Sequence, residues 1–68
     1  MYPNPVKDFI HVDYNKEFLL EIYNVQGEKV LMSKQTETNV SDLTSGTYFV
    51  LIKNRENKVI TISQLVKE

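Results

Sequence analysis

Hydrophobic and polar residues alternate over short stretches of this chain, and residues that favour turns separate the stretches. Alternation with a period of two indicates a strand with one buried and one solvated face. The pattern predicts six strands, at residues 9–14, 18–25, 29–34, 39–41, 47–53 and 58–66. Short strands at near-regular spacing are typical of all-β sandwiches and barrels. We therefore expect an all-β domain.

The alternation also assigns side chains to the two faces of each strand. In the first strand, Ile10 and Val12 are predicted to face the core. In the third strand, Val30 and Met32 are assigned to the core, which places Leu31 on the opposite face. A shift of one residue in a strand would exchange its two faces, because successive side chains point in opposite directions.

The turns between the predicted strands have identifiable chemistry. Gly27 closes a turn after the second strand, where a left-handed glycine produces a hairpin with a bulge. Asn57 is expected to be left-handed in the loop before the last strand, since asparagine tolerates that conformation. A tight bend before Gly46 is predicted to direct Leu43 into the core. The two hairpins predict a small, antiparallel, immunoglobulin-like β-sandwich of about six or seven strands.

A second set of apolar residues lies on the faces opposite the predicted core. Its members are Leu19, Tyr23, Leu31, Phe49 and Leu51. One explanation is an assignment shifted by one residue in some strands, which would return these side chains to the core. The other explanation is an exposed docking surface for a partner or a second copy of the chain. The sequence leaves both explanations open.

Composition limits the classes of function that the chain can have. Its 68 residues form at most one domain, covering residues 1–68, and contain no cysteine. Eight basic and nine acidic residues give a net charge of −1, which argues against a nucleic-acid partner. No apolar run approaches the roughly 20 residues that cross a bilayer, so we expect no membrane insertion. The chain starts on a turn motif directly after Met1, and we expect it to be a piece of a longer protein.

Candidate chemistry is sparse. His11 lies on the polar side of the first strand and is interpreted as a solvated surface residue. His11 and Asp13 share one strand face, but two ligands are too few for a structural zinc site. Glu21 and Glu28 are interpreted as solvated surface carboxylates and not as a catalytic pair. We therefore expect no catalytic residues, no metal site, no cofactor and no enzymatic activity.

Four motifs occur in one order along nearly the whole chain: Tyr2, Pro3, Asn4 and Pro5 at the start, Gly27 within residues 22–30, Leu43, Gly46 and Tyr48 in a Leu-x-x-Gly-x-Tyr pattern, and the basic-aliphatic tail at residues 64–68. Together they resemble the type A sorting domain of the type IX secretion system. Members of this family form the C-terminal part of cargo proteins in a group of diderm bacteria.

The resemblance implies that the chain is an export signal. The cargo would cross the inner membrane by a separate signal, and type IX translocon components would recognise this domain in the periplasm. The expected destination is the cell surface or the medium, and a sortase-like cysteine peptidase is expected to remove the signal upstream of Tyr2. Candidate contacts with the translocon lie in the last hairpin and tail: Lys58, Leu65, Val66, Lys67 and Glu68. An exposed terminal strand suits such contacts, because it offers backbone groups for strand addition.

The alternative function is an immunoglobulin-like or fibronectin-like adhesion or carbohydrate-binding module. Tyr23 and Phe49 would then provide aromatic faces for stacking on sugars or proteins. The size of the chain argues against this alternative, because immunoglobulin-like domains have about 100 residues. An exposed edge strand in so small a domain also allows weak homodimerisation, although the sequence does not determine the oligomeric state.

Overall fold

Six strands and no helix make up the computed structural model, which describes residues 5–68. The strands are β1 (Phe9–His11), β2 (Phe18–Tyr23), β3 (Lys29–Ser33), β4 (Glu37–Asn39), β5 (Gly46–Asn54) and β6 (Val59–Lys67). They form a four-stranded sheet in the order β3-β2-β5-β6 and a two-stranded sheet of β1 and β4. All of these strand pairs are antiparallel. The predicted all-β antiparallel sandwich is confirmed.

The hydrophobic core lies between the two sheets. Its fully buried members come from both sheets and from the segments beside the smaller one: Val6, Ile10, Val12, Leu20, Ile22, Val40, Val50 and Leu65. Burying one such side chain contributes about 1.5–3 kcal/mol relative to leaving it exposed. This burial agrees with the alternating pattern of the sequence, because β2 and β5 direct every second side chain toward β1 and β4. The core assignment of Ile10 and Val12 is confirmed.

The segment before β1 joins the C-terminal end of β6. Val6 forms a parallel bridge with Lys67 and is almost completely buried. Its N–H donates to the Val66 carbonyl over 2.8 Å, and its carbonyl accepts from the Glu68 N–H over 2.8 Å. These two bonds attach the end of the chain to the sandwich, so the tail is part of the folded structure.

Both hairpin loops are built on an asparagine in the same way. Asn24 Oδ1 accepts the backbone N–H groups of Gln26 and Glu28 over 3.0 and 2.9 Å. Asn54 Oδ1 accepts two N–H groups at the same spacing, over 2.9 and 3.0 Å. Each loop then contains a left-handed residue, Gly27 at φ 86° and Asn57 at φ 64°. Both predicted left-handed positions are confirmed.

The third strand departs from the predicted faces. Leu31 pairs with Ile22 and packs against the core, whereas Val30 and Met32 are exposed. The register of β2 and β3 shifts between Ile22 and Tyr23. A bulge of this kind inserts one residue and exchanges the faces that follow it. The core assignment of Val30 and Met32 was therefore wrong.

The fourth strand also differs, since it occupies Glu37–Asn39 and not residues 39–41. Asn39 ends it, because its Oδ1 accepts the Ser41 N–H over 2.8 Å and the Ser41 hydroxyl over 2.6 Å. A side chain that binds backbone two residues later forms a turn and stops the ladder.

Candidate functional site

The Leu-x-x-Gly-x-Tyr motif forms the bend that leads into β5. The ring of Tyr48 is buried in the core, and its hydroxyl donates to the Thr44 carbonyl over 2.7 Å. The same hydroxyl lies 3.1 Å from Thr44 Oγ1. Leu43 donates its N–H to the Val40 carbonyl over 3.0 Å and packs on the core, as predicted. A buried tyrosine that bonds backbone a few residues upstream fixes the entry of a strand, as in sandwich domains generally.

Gly46 completes this motif at the first position of β5. Its φ of 149° lies in the region that residues with a side chain rarely adopt, while a Cβ there would meet nothing within 4 Å. The conformation of the backbone, and not a lack of space, therefore requires glycine. Gly27 is in the same situation at φ 86°. These motif residues shape the backbone of the domain.

The opening motif falls mostly outside the described residues. Tyr2, Pro3 and Asn4 lie there, while Pro5 is exposed directly before the buried Val6.

The five predicted translocon contacts divide into two groups. The side chain of Leu65 is fully buried in the core, and Lys67 is buried with its Nζ 3.1 Å from the Glu68 carbonyl. Lys58, Val66 and Glu68 are exposed. β6 is an edge strand of the larger sheet, with Lys58 just before its first residue and with Val66 and Glu68 at its other end.

One face of the four-stranded sheet points away from β1 and β4, and we call it the outer face. Its residues are Leu19, Glu21, Tyr23, Lys29, Met32, Thr47, Phe49, Leu51, Lys53, Val59, Ile62, Gln64 and Val66. Of the second apolar set found in the sequence, Leu31 belongs to the core. The other four members, Leu19, Tyr23, Phe49 and Leu51, lie on the outer face. A shifted assignment therefore explains Leu31 alone.

An ionic cluster lies at the centre of the outer face. Glu21 is only 3% exposed, and its two carboxylate oxygens lie 3.0 Å from Lys29 Nζ and 3.0 Å from Lys53 Nζ. The Tyr23 hydroxyl donates to the same carboxylate over 2.9 Å. The hydrogen bond from Lys29 is the largest cause that lowers the pKa of Glu21, to about 2, against the opposing effect of desolvation. The same bond raises the pKa of Lys29.

This cluster corrects the interpretation of Glu21 as a solvated carboxylate. A sequence signal for it existed, because Glu21 is the one charged residue in the otherwise apolar strand Phe18–Tyr23. A carboxylate in such a strand needs paired cations when it is buried. Glu28, in contrast, is exposed in the first hairpin loop, where its Oε1 accepts from Asn24 Nδ2 over 3.2 Å.

The described residues contain little that suggests chemistry. His11 and Asp13 are both exposed. Among residues 5–68 no three side chains of the metal-ligating types come together. That part of the chain also contains no helix long and apolar enough to cross a membrane. The features that stand out are a structural motif and an accessible sheet face, which are features of a recognition module.

Comparison with known families identifies the module. The sequence model of the family described as the secretion system C-terminal sorting domain matches residues 1–68, and the chain belongs to this family. No curated protein and no solved structure is similar enough to the chain to match it.

The family is the C-terminal sorting signal of type IX secretion, so this domain directs its cargo to the cell surface or the extracellular medium. It is handled by the type IX secretion system, and the family is not a family of enzymes. The adhesion or carbohydrate-binding alternative is not supported.

Proposed function

We propose that this domain is a single C-terminal unit of a larger secreted protein and that it is sufficient for export. We further propose that the translocon recognises the surface of the folded domain. The family match over the whole chain carries the proposal. The positions of Leu43, Gly46 and Tyr48 support the folded state of the signal. Tyr48 is buried, Leu43 packs against the core and Gly46 shapes the bend, so this motif builds the fold.

The proposed contact with the translocon lies on the last hairpin and tail. Lys58, Val66 and Glu68 provide the exposed side chains of this contact. Leu65 and Lys67 hold the tail against the core and against Val6. Val6 already pairs with the edge of β6 beside Val66 and Glu68, so strand addition would use the part of this edge nearer Lys58.

The remaining steps concern processing and assembly. A sortase-like cysteine peptidase is proposed to cleave upstream of Tyr2, which separates the cargo from its signal after export. The domain acts as a substrate in this step and performs no catalysis, and it needs no metal or cofactor. Weak homodimerisation through an edge strand is proposed to compete with recognition at high concentration.

A secretion assay tests sufficiency. Residues 2–68 are fused behind a fluorescent protein that carries an inner-membrane signal, and the fusion is expressed in hosts with and without the translocon. We expect fluorescence at the surface or in the medium only when the translocon is present. Retention in the periplasm of both hosts would refute the proposal.

Point substitutions test the contact, because truncation from Leu65 would also remove a core side chain. Val66→Ser and Lys58→Gln are expected to reduce export without loss of folding. Val25→Ser is the control, since Val25 is a valine in the first hairpin loop that is 67% exposed, against 39% for Val66. Equal export by all three variants would exclude the last hairpin as the contact.

A further inference from the structure

The outer face presents large apolar side chains to water. Met32 is 56% exposed, Phe49 41% and Ile62 66%. They come from three strands, and cross-strand pairing places Met32 beside Glu21, Glu21 beside Leu51, and Leu51 beside Ile62. The exposed side chains therefore belong to one continuous surface that crosses the whole sheet. Continuous apolar surfaces on a small domain mark sites of interaction.

The charge at the centre of this surface is unbalanced. One carboxylate, Glu21, is shared between two ammonium groups, Lys29 and Lys53, which leaves one positive charge in excess. Each ammonium group has three N–H donors, so both lysines retain donors after binding Glu21. The Lys29 side chain is 40% exposed, and its ammonium group is accessible from outside. An occupant of the face would meet apolar side chains around an accessible cation.

This charge argues against a second copy as the occupant. Two outer faces packed together would bring two positive clusters into one desolvated interface, and like charges there are strongly unfavourable. A surface with apolar side chains and a carboxylate would instead give Lys29 a second anionic partner. The charge of the outer face therefore favours a different protein, and not a second copy of this chain, as the binding partner.

We propose that the outer face is a second recognition surface, which binds an apolar patch with a central carboxylate on a type IX translocon component. This inference rests on the proposed export function and extends the contact beyond the tail. The two surfaces are continuous, because Val66 of the tail also lies on the outer face, where it pairs with Thr47. Glu21 acts as a positioning residue, since its carboxylate holds both ammonium groups within the apolar surface.

The first experiment places a photo-crosslinking amino acid at position 62 or 49 of the secretion reporter. Position 9 is the matched control, because Phe9 is 54% exposed on β1, in the other sheet. We expect position 62 and position 49 to crosslink to a translocon component at least tenfold more than position 9. The product must be missing from the host without the translocon.

The second experiment measures export of substituted reporters. Ile62→Ser and Phe49→Ser are expected to lower surface fluorescence about tenfold, whereas Phe9→Ser leaves it unchanged. Lys29→Gln removes the excess charge and is expected to lower export severalfold, while Lys16→Gln, at an exposed loop lysine, has no effect. Thermal unfolding of each purified domain verifies that the compared variants are folded. If a variant is not folded, its export is not compared, and the crosslinking experiment tests the outer face instead.

The outcomes separate this inference from the export function. Failure of the unsubstituted reporter would refute the export function itself. Export by the reporter with equal export by the outer-face variants would overturn only the inference. Crosslinks from position 62 that join two copies, or that reach the fused cargo in both hosts, would overturn it as well, because the face would then have another occupant.

Discussion

Replacing Glu21 with glutamine should destabilise the domain in a pH-dependent way. Glu21→Gln keeps the size of the side chain and removes the charge that pairs with Lys29 and Lys53. The pKa of Glu21 falls from 4.5 to about 2 in the folded domain. Since one pKa unit corresponds to about 1.4 kcal/mol, the shift corresponds to at most about 3.5 kcal/mol of folding free energy. Water screens the partly exposed Lys29, so we expect a loss of about 1–2 kcal/mol near neutral pH.

The sign of the pH dependence follows from the lowered pKa. A carboxyl group whose pKa is lower in the folded state stabilises the fold above its unfolded pKa, here 4.5. This stabilisation is lost as the pH falls from 4.5 toward about 2, where Glu21 becomes protonated. Below that pH the original domain and Glu21→Gln both have a neutral side chain between two lysines. Their difference in stability should therefore disappear.

Urea unfolding at a series of pH values measures this difference directly. The gap in unfolding free energy between the original domain and Glu21→Gln should be constant above about pH 5.5 and close to zero near pH 2. Glu17→Gln is the control, because Glu17 is exposed and lies 3.8 Å from an equally exposed Arg55. If the gap had the same size at both ends of the pH range, the two lysines would not lower the pKa of Glu21, and the reasoning would be refuted. In a domain of this size 1–2 kcal/mol is a large share of the roughly 3–5 kcal/mol available.

Three further predictions test the packing and the turns. Tyr48→Phe keeps the buried ring but removes the hydroxyl that bonds Thr44, so calorimetry or urea unfolding should show a loss of about 1–2 kcal/mol; an unchanged stability would mean that the bend does not depend on this bond. Asn57→Gly should be neutral or stabilising by up to about 1 kcal/mol, because glycine adopts the left-handed conformation without strain; clear destabilisation would contradict the observed φ. Leu31→Ala should cost about 2 kcal/mol and the adjacent Met32→Ala less than about 0.5 kcal/mol; the reverse order in urea unfolding would restore the face assignment that alternation predicts.

Local features of this protein follow from the sequence because they depend on a few adjacent residues. Gly27 and Asn57 are recognisable as left-handed positions, since few other residues tolerate that conformation. Alternation predicts that the strands exist and that Ile10 and Val12 are buried. The order of the motifs identifies the sorting signal, a result that the family match confirms. None of these conclusions requires knowing which strands are neighbours.

Other features were decided by tertiary structure, because they depend on which strands lie side by side. The exposure of Met32 follows from a bulge between β2 and β3, and alternation within one strand carries no information on such a shift in register. The pairing of Glu21 with Lys53 requires β2 to lie beside β5, a strand that is distant in the chain. Burial of Leu65 likewise depends on the place of β6 beside β5, over the core. Long-range pairing thus explains why Glu21, which was expected to be solvated, lies at the centre of an ionic cluster. It also explains why Leu65, which was expected to contact a partner, lies in the core.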